Sequence, residues 1–398
     1  MSDDPTQLVK ERIERLLDEG DTSDTTAFRG LQYDLGLAWV HFPEGWGGLG
    51  VDPPHQRAVD AALRDAKAPG PSTEHFFGLT MAGPTVVTHG SDELRKRLLR
   101  PMFTGEDSWC QLFSEPGAGS DLAGLACKAV RDGDEWIITG QKVWNTLAHI
   151  ADRGMLVART DPDAPKHKGQ TYFALDMHAP GVEVRPLRQI TGEAEFNEVY
   201  MTEVRVPDAD RIGDVGEGWR VAMTTLSNER TTIGGGGGTP TRGSGAIAEA
   251  VRIWQSDEIV DRSPAQRDEL MKLWIRAETL RLTNIRAGQN RKMGNPGPEG
   301  SIAKLMFAQV NMDVYELCVD LLGASGLVDY DYTMRRSENL GLTGPPGTSR
   351  KMFLRARANS IEGGTSEIQR NIIGERVLGL PGEPRTDKDV PWKDVPRS

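Results

Sequence analysis

Glu115-Pro116-Gly117-Ala118-Gly119-Ser120-Asp121 is the segment of this chain with the most evident chemistry. Pro116 and the two glycines bring backbone amides into the open, and Ser120 adds a hydroxyl. With no Cβ at the glycines, such a loop can approach a flat or anionic ligand closely. Taken alone, a Gly/Pro-rich heptad is as readily an ordinary surface loop. Thr365-Ser366-Glu367-Ile368-Gln369-Arg370 adds a second candidate. A hydroxyl residue followed by an acid opens many helices, and a helix start suits a phosphate or a ribose hydroxyl. The seven histidines are scattered without ligand spacing, and Cys110, Cys127 and Cys318 have no metal-type spacing. No metal site is expected, and each cysteine reads as a buried thiol in a reducing compartment.

The elements around these segments fall into three regions. Up to about residue 108 the pattern is helical: Leu8, Ile13 and Leu16–Leu17 recur at helical spacing, as do the apolar residues of 58–66 and 91–99. The Gly/Pro-rich stretch 42–50 interrupts them as a turn-rich loop. Residues 109–216 read as strands, with Asp132-Gly133-Asp134 as a hairpin signal between 127–131 and 135–139. Helical periodicity returns over 217–381. Leu270, Leu273–Trp274, Ala277, Leu280 and Ile285 trace one face, and Ile302, Leu305–Met306, Val310, Val314, Leu317 and Leu321 another. Two long striped helices need partners, so a helical bundle is the economical solution. The Pro-rich, charged stretch 382–398 reads as an extended or disordered tail.

Gln111-Leu112-Phe113-Ser114 leads into the heptad, and Gly140-Gln141-Lys142-Val143-Trp144-Asn145-Thr146 follows downstream. In wording, order and spacing this pair resembles the two flavin-contacting segments of the acyl-CoA dehydrogenase family. The resemblance spans nearly the whole chain and includes the loop around Gly47-Gly48-Leu49-Gly50. It implies an α+β multidomain fold: an N-terminal helical domain, a central β-barrel-like domain and a C-terminal four-helix bundle. It also implies FAD, an acyl-CoA substrate and electron transfer to an electron-transfer flavoprotein. Gln111, Phe113, Ser114 and Ser120 would contact the flavin from the first segment, and Trp144 and Thr146 would flank its ring from the second. Gly323 and Ala324, in a Gly-rich turn, would meet a neighbouring subunit's FAD, and Thr365 and Glu367 would serve the cofactor from the last helix. Asn145 stands where the family usually has Ile.

Removing a proton α to a thioester carbonyl requires a carboxylate held against that carbon and donors at the carbonyl oxygen. Most of the family places this Glu two residues before a Thr, and here that position is Gly363. Glu362 sits one step earlier. A branch of the family, including isovaleryl- and long-chain-type enzymes, carries the base before an Arg on the first long helix of the C-terminal domain. Leu226-Ser227-Asn228-Glu229-Arg230 matches that place, so Glu229 is the expected base and Glu362 the second choice. By resemblance the Gly363 backbone N–H binds the thioester oxygen, while Ser120 and Arg230 support substrate. The run Gly234 to Gly238 is expected to end or bend the helix, since each helical Gly costs about 1 kcal/mol relative to Ala.

The family's Arg-x-x-Phe-Gly motif is missing: the region reads Trp254-Gln255-Ser256-Asp257-Glu258, with Arg262 or Arg267 as substitutes for the lost charge. Heteromeric relatives resemble this pattern. The expected assembly is a homodimer or homotetramer, and the missing motif makes one subunit of an α2β2 heterotetramer the alternative. A CoA-ester-binding scaffold without flavin and a flavin monooxygenase are the other readings. A net charge of −11 argues against nucleic-acid or membrane-surface partners, and no apolar run approaches a membrane helix. The charged, amphipathic first twenty residues lack a signal-peptide core, which points to the cytoplasm.

Overall fold

The computed structural model describes residues 4–233, 241–257, 259, 262–292, 299–328, 331, 333–338, 349–384 and 387–396, apart from the side chains of Thr73, 229–233 and 291–292. The N-terminal region is helical: α1 (Pro5–Glu19), α2 (Thr25–Asp34), α3 (Gln56–Asp65), α4 (Gly83–His89) and α5 (Asp92–Thr104). Local chemistry sets their ends. Asp4 caps α1 by accepting from the Thr6 N–H, with Pro5 in the first turn, where its missing donor is harmless. Ser91 caps α5, which ends on left-handed Gly105 at φ +90°. These helices bury Phe28, Val86, Leu94, Leu98, Leu99 and Met102.

The middle region is one sheet made of β1 (Trp109–Leu112), β2 (Lys128–Asp132), β3 (Glu135–Thr146), β4 (Arg153–Arg159), β5 (Gln170–Asp176), β6 (Val182–Pro186), β7 (Phe196–Pro207) and β8 (Arg211–Ile212). The strand order is β6-β7-β3-β2-β4-β5-β8, with β1 pairing β4 in parallel. The hairpin expected around Gly133 joins β2 to β3, with Asp132 opposite Glu135 and Gly133 at φ +65°. β4 and β5 turn Met155, Val157, Tyr172 and Ala174 to the N-terminal helices and Leu156, Ala158, Phe173 and Leu175 to Trp136, Val199 and Val204, so both are almost wholly buried.

Helix α6 (Gly218–Ile233) leaves the sheet and packs against α4 and β5. The C-terminal region holds α7 (Ala246–Gln255), α8 (Pro264–Lys292), α9 (Glu299–Leu322), α10 (Ser349–Ala356) and α11 (Ser366–Ile372). Leu270, Leu273, Val310, Val314, Leu317 and Leu321 are buried with Ile247, Ala250 and Ile253, as the stripes predict. Ile285, Ile302, Leu305 and Met306 are only half-buried. The reason is length: ten-residue α7 covers about 15 Å of a helix roughly three times as long. All three cysteines are buried and unpaired. No helix among the described residues is long and apolar enough to cross a membrane. The Gly234–Gly238 run lies outside the described residues.

Candidate active site

β1 and β3 bring the two motif segments together. The Val143 N–H donates to the Ser114 carbonyl at 2.9 Å, and Asn145 Nδ2 donates to the Gln111 carbonyl at 2.8 Å. Beneath them lies a buried ion pair. Lys142 Nζ, fully buried, is 2.7 Å from Glu115 Oε1 and donates to the Phe113 carbonyl at 3.1 Å. Glu115 also accepts from the Ala126 N–H at 2.6 Å and the Cys127 N–H at 2.9 Å. A buried charge needs such partners. Glu115 therefore ties the Gly/Pro loop to β3 and to the approach to β2.

Above this pair the β3–β7 register slips between Lys142 and Asn145, and Trp144 takes φ +62°. A bulky residue pays about 1–3 kcal/mol for that conformation. The result is an indole 58% exposed, edge-on to Phe196 at 5.8 Å between centroids. Half-buried Ser114 and Thr146 flank it, and Ser120 is exposed on the adjoining loop. A Cβ at Gly117 or Gly119 would meet nothing within 4 Å, so the loop face is open. Phe113 is buried, edge-on to Tyr172 at 5.8 Å. A flat wall, hydroxyls beside it and an open glycine loop are what an isoalloxazine requires, so these residues fit FAD. Asn145 is buried, and its Oδ1 has no partner among the described residues.

The C-terminal region reaches this place through Phe196. The Arg355 guanidinium is 5.8 Å from the Phe196 ring centre and clasps Glu362 in two bonds of 2.8 and 3.1 Å. Asn359 Nδ2 donates to the same carboxylate at 2.7 Å. Lys304 Nζ donates to the Asn359 carbonyl at 2.8 Å and the Gly364 carbonyl at 2.6 Å. Burial pushes the Lys304 pKa down, against the pull of Glu362 and Glu367. Gly363 and Gly364 stand at φ +63° and +91°, where a side chain would be strained. Thr365 accepts from the Ile368 N–H at 3.2 Å and so caps α11, as its sequence signal predicts. Glu367 is exposed and pairs with Arg370 at 3.1 Å. Gly323 and Ala324 lie apart, in an exposed turn at the end of α9.

Glu229 and Arg230 lie in α6, but their side chains are outside the described residues. One turn earlier, Thr225 is fully buried and hydrogen-bonded to Thr85 Oγ1 at 2.9 Å and to the Tyr172 hydroxyl at 3.1 Å. Tyr172 is the ring on which Phe113 stands, so α6 is pinned to the first motif segment. Arg262, one substitute for the absent Arg-x-x-Phe charge, is spent on the end of α7. It donates to the Trp254 carbonyl at 2.9 Å and to the Ser256 carbonyl. Arg267 is exposed.

Sequence reasoning gave no role to Lys142, Glu115, Arg355, Lys304 or Thr225. One signal was available: Lys142 shares strand parity with inward-facing Trp136 and Ile138. The pairing of Arg355 with Glu362 has no helical spacing to betray it.

A sheet carrying an outward indole beside a helical bundle fits a flat cofactor such as a flavin. The comparisons agree. The chain matches the acyl-CoA dehydrogenase N-terminal domain over residues 2–106, the middle domain over 110–204 and the C-terminal domain over 216–378. It is 40% identical to acyl-CoA dehydrogenase FadE34 of Mycobacterium tuberculosis over 353 residues, which is 87% of this chain but 45% of that relative's length. It is 37% identical to acyl-CoA dehydrogenase IpdE1 of the same organism over 354 residues, covering 87% of this chain and 86% of the relative. Among solved structures, the ChsE4–ChsE5 complex of M. tuberculosis superposes with a TM-score of 0.68 at 26% identity, covering 96% of this chain and all of that one. The chain belongs to the acyl-CoA dehydrogenase family, whose members are FAD-dependent oxidoreductases.

Proposed function

We propose that this chain dehydrogenates an acyl-CoA thioester to the trans-2-enoyl-CoA with Glu229 as the base, and that an electron-transfer flavoprotein accepts the electrons. Bound FAD would supply the oxidant that takes the β-hydrogen with its electron pair. Trp144, Phe113, Ser114, Thr146 and Gln111 would hold its ring, and Thr365, Glu367 and the Gly323–Ala324 turn of a neighbouring copy its other end. Glu229 takes the α-proton, and the electrons of that C–H bond become the new C=C bond as the β-hydrogen departs. The Gly363 N–H stabilises the charge that gathers on the thioester oxygen. Ser120 and Arg230 line the substrate's path.

The observation that carries this reading is the clasp on Glu362. A carboxylate held by both arms of Arg355 and by Asn359 is committed to structure and poorly placed to receive a carbon-bound proton. Pinning of α6 by Thr225 favours Glu229, one turn further along that helix. The test is anaerobic titration of the purified protein with straight, branched and steroid-side-chain acyl-CoAs. Bleaching of the flavin by at least one thioester is expected. A yellow protein that none of them bleaches would overturn the reading.

Three observations favour a second reading, in which the chain is half of a heteromeric dehydrogenase. The family's Arg-x-x-Phe is absent, Arg262 is spent on α7, and a relative of known structure is the ChsE4–ChsE5 complex. Full flavin occupancy and turnover of the chain expressed alone would exclude it.

A further inference from the structure

We propose that the C-terminal tail is a strap that holds the Glu115–Leu125 loop in its ligand-binding shape. The tail lies beyond residue 378, where the match to the family's C-terminal domain ends. Residues 387–396 nevertheless dock on the middle domain. The backbone N–H groups of Trp392 and Lys393 donate to the Ala164 and Pro162 carbonyls, each at 3.0 Å, and Lys393 pairs with Asp163 at 2.5 Å. Those bonds place Trp392 under the loop. Its Nε1 donates to the Gly124 carbonyl at 3.1 Å, and its ring lies 4.7 Å from the Arg159 guanidinium. Arg159, itself buried, donates to the Ala123 carbonyl at 2.6 Å. Indole and guanidinium thus hold consecutive carbonyls of the short turn that follows the Gly/Pro heptad.

A second anchor acts on the heptad directly. Lys166, nearly buried, places Nζ 3.0 Å from both carboxylate oxygens of Asp121 and 2.5 Å from Asp387 of the tail. One ammonium therefore joins the last residue of the heptad to the tail. Asp121 follows Ser120, which the proposed function places on the substrate's path. From the far side Glu115 holds the other end of the loop through Lys142. The loop is clamped at both ends, once by the sheet and once by the tail. Order in a loop that binds a ligand is an affinity term, because a loosened loop must be re-ordered on binding. The strap accordingly acts on binding and leaves the chemical step alone.

The link between strap and ligand affinity rests on the proposed function, whereas the link between strap and loop order does not. The experiment reads them separately in the full chain with Trp392→Ala, Trp392→Phe and Asp387→Ala. Loss of one hydrogen bond and one cation–π contact in Trp392→Ala is expected to speed hydrogen exchange at amides 121–126 about tenfold or more. Trp392→Phe, which keeps a ring over Arg159, should recover part of that protection. The FAD dissociation constant and the KM for an acyl-CoA should rise several-fold in Trp392→Ala and Asp387→Ala, with kcat within about twofold of the parent. Unchanged exchange at 121–126 overturns the strap. Faster exchange with unaltered FAD affinity and KM overturns its role in binding. A parent protein that binds no flavin sinks the proposed function instead, and the exchange data still decide whether the tail orders the loop.

Discussion

Lys142→Met tests the buried ion pair beneath the flavin-facing strand. The methionine fills the space of the lysine stem and removes its charge. Breaking a buried pair costs about 3–5 kcal/mol, chiefly because the surviving charge is left uncompensated. Here Glu115 keeps two backbone donors, the Ala126 and Cys127 N–H groups, which places the charge penalty near the low end, about 3 kcal/mol. The Phe113 carbonyl loses its Nζ donor at 3.1 Å, which adds about 1 kcal/mol. The total is about 4 kcal/mol. Glu115→Gln in turn strands the fully buried Lys142 ammonium, for about 3 kcal/mol, and turns an amide N–H₂ toward one backbone N–H, for about 2 kcal/mol more, so it costs about 5 kcal/mol. The double variant has no stranded charge and keeps only the two hydrogen-bond losses, about 3 kcal/mol, so the coupling is about 6 kcal/mol. Three domains need not unfold together. The assay is therefore native-state hydrogen exchange at the amides of Ala126, Cys127 and Val143, where 4 kcal/mol corresponds to roughly a thousandfold faster opening. A double variant whose cost equals the sum of the singles within about 0.5 kcal/mol would refute the reasoning.

Thr225→Val keeps the shape of the helix face but strips the Tyr172 hydroxyl of its partner at 3.1 Å. Steady-state assays should show kcat down about tenfold or more with flavin retained, since small displacements of a base are costly; an unchanged kcat would remove Thr225 as a positioning residue. Arg355→Met should lower stability by about 1–2 kcal/mol, because the buried Arg355 loses its two bonds to a Glu362 that is itself 37% exposed. The pH profile of kcat should nevertheless stay as in the parent, and a moved profile would bring Glu362 back into the chemistry. Asp208 accepts from Arg211 and from Trp136 Nε1, and chiefly the Arg211 bond lowers its pKa to about 2. A carboxylate with a depressed folded pKa contributes stability above its ordinary value near 3.8 that is lost as pH falls toward about 2. Solvent screening keeps this to about 1 kcal/mol or less. Asp208→Asn should flatten that segment of the acid-denaturation curve, and an unaltered curve would contradict the assignment.

What could be read before the structure was whatever repeats with a local period. The β2–β3 hairpin followed from alternation around Gly133, and the bundle from stripes such as Val310, Val314 and Leu317, which are buried as expected. β7 runs unbroken over Phe196–Pro207, with Glu203 at φ +51° absorbing an irregularity that strict alternation does not announce. The motif residues Ser114, Trp144 and Thr146 do gather in one place. Their wording did not announce that Trp144 pays backbone strain to face outward, because a β-bulge depends on the partner strand. The tail read as extended or disordered because its anchors, Asp387, Trp392 and Lys393, have no periodicity; their partners lie more than two hundred residues away in sequence. The clasp on Glu362, the second-choice base, is hidden for the same reason, since it comes from Arg355 across an irregular turn.

The most direct measurement compares Glu229→Gln with Glu362→Gln in single-turnover reduction of the enzyme's own flavin by acyl-CoA, with flavin content matched. A base on α6 predicts that Glu229→Gln retains flavin and substrate binding but loses reduction almost entirely, while Glu362→Gln still reduces. Rapid reduction by Glu229→Gln, together with a silent Glu362→Gln that still binds flavin, would contradict it.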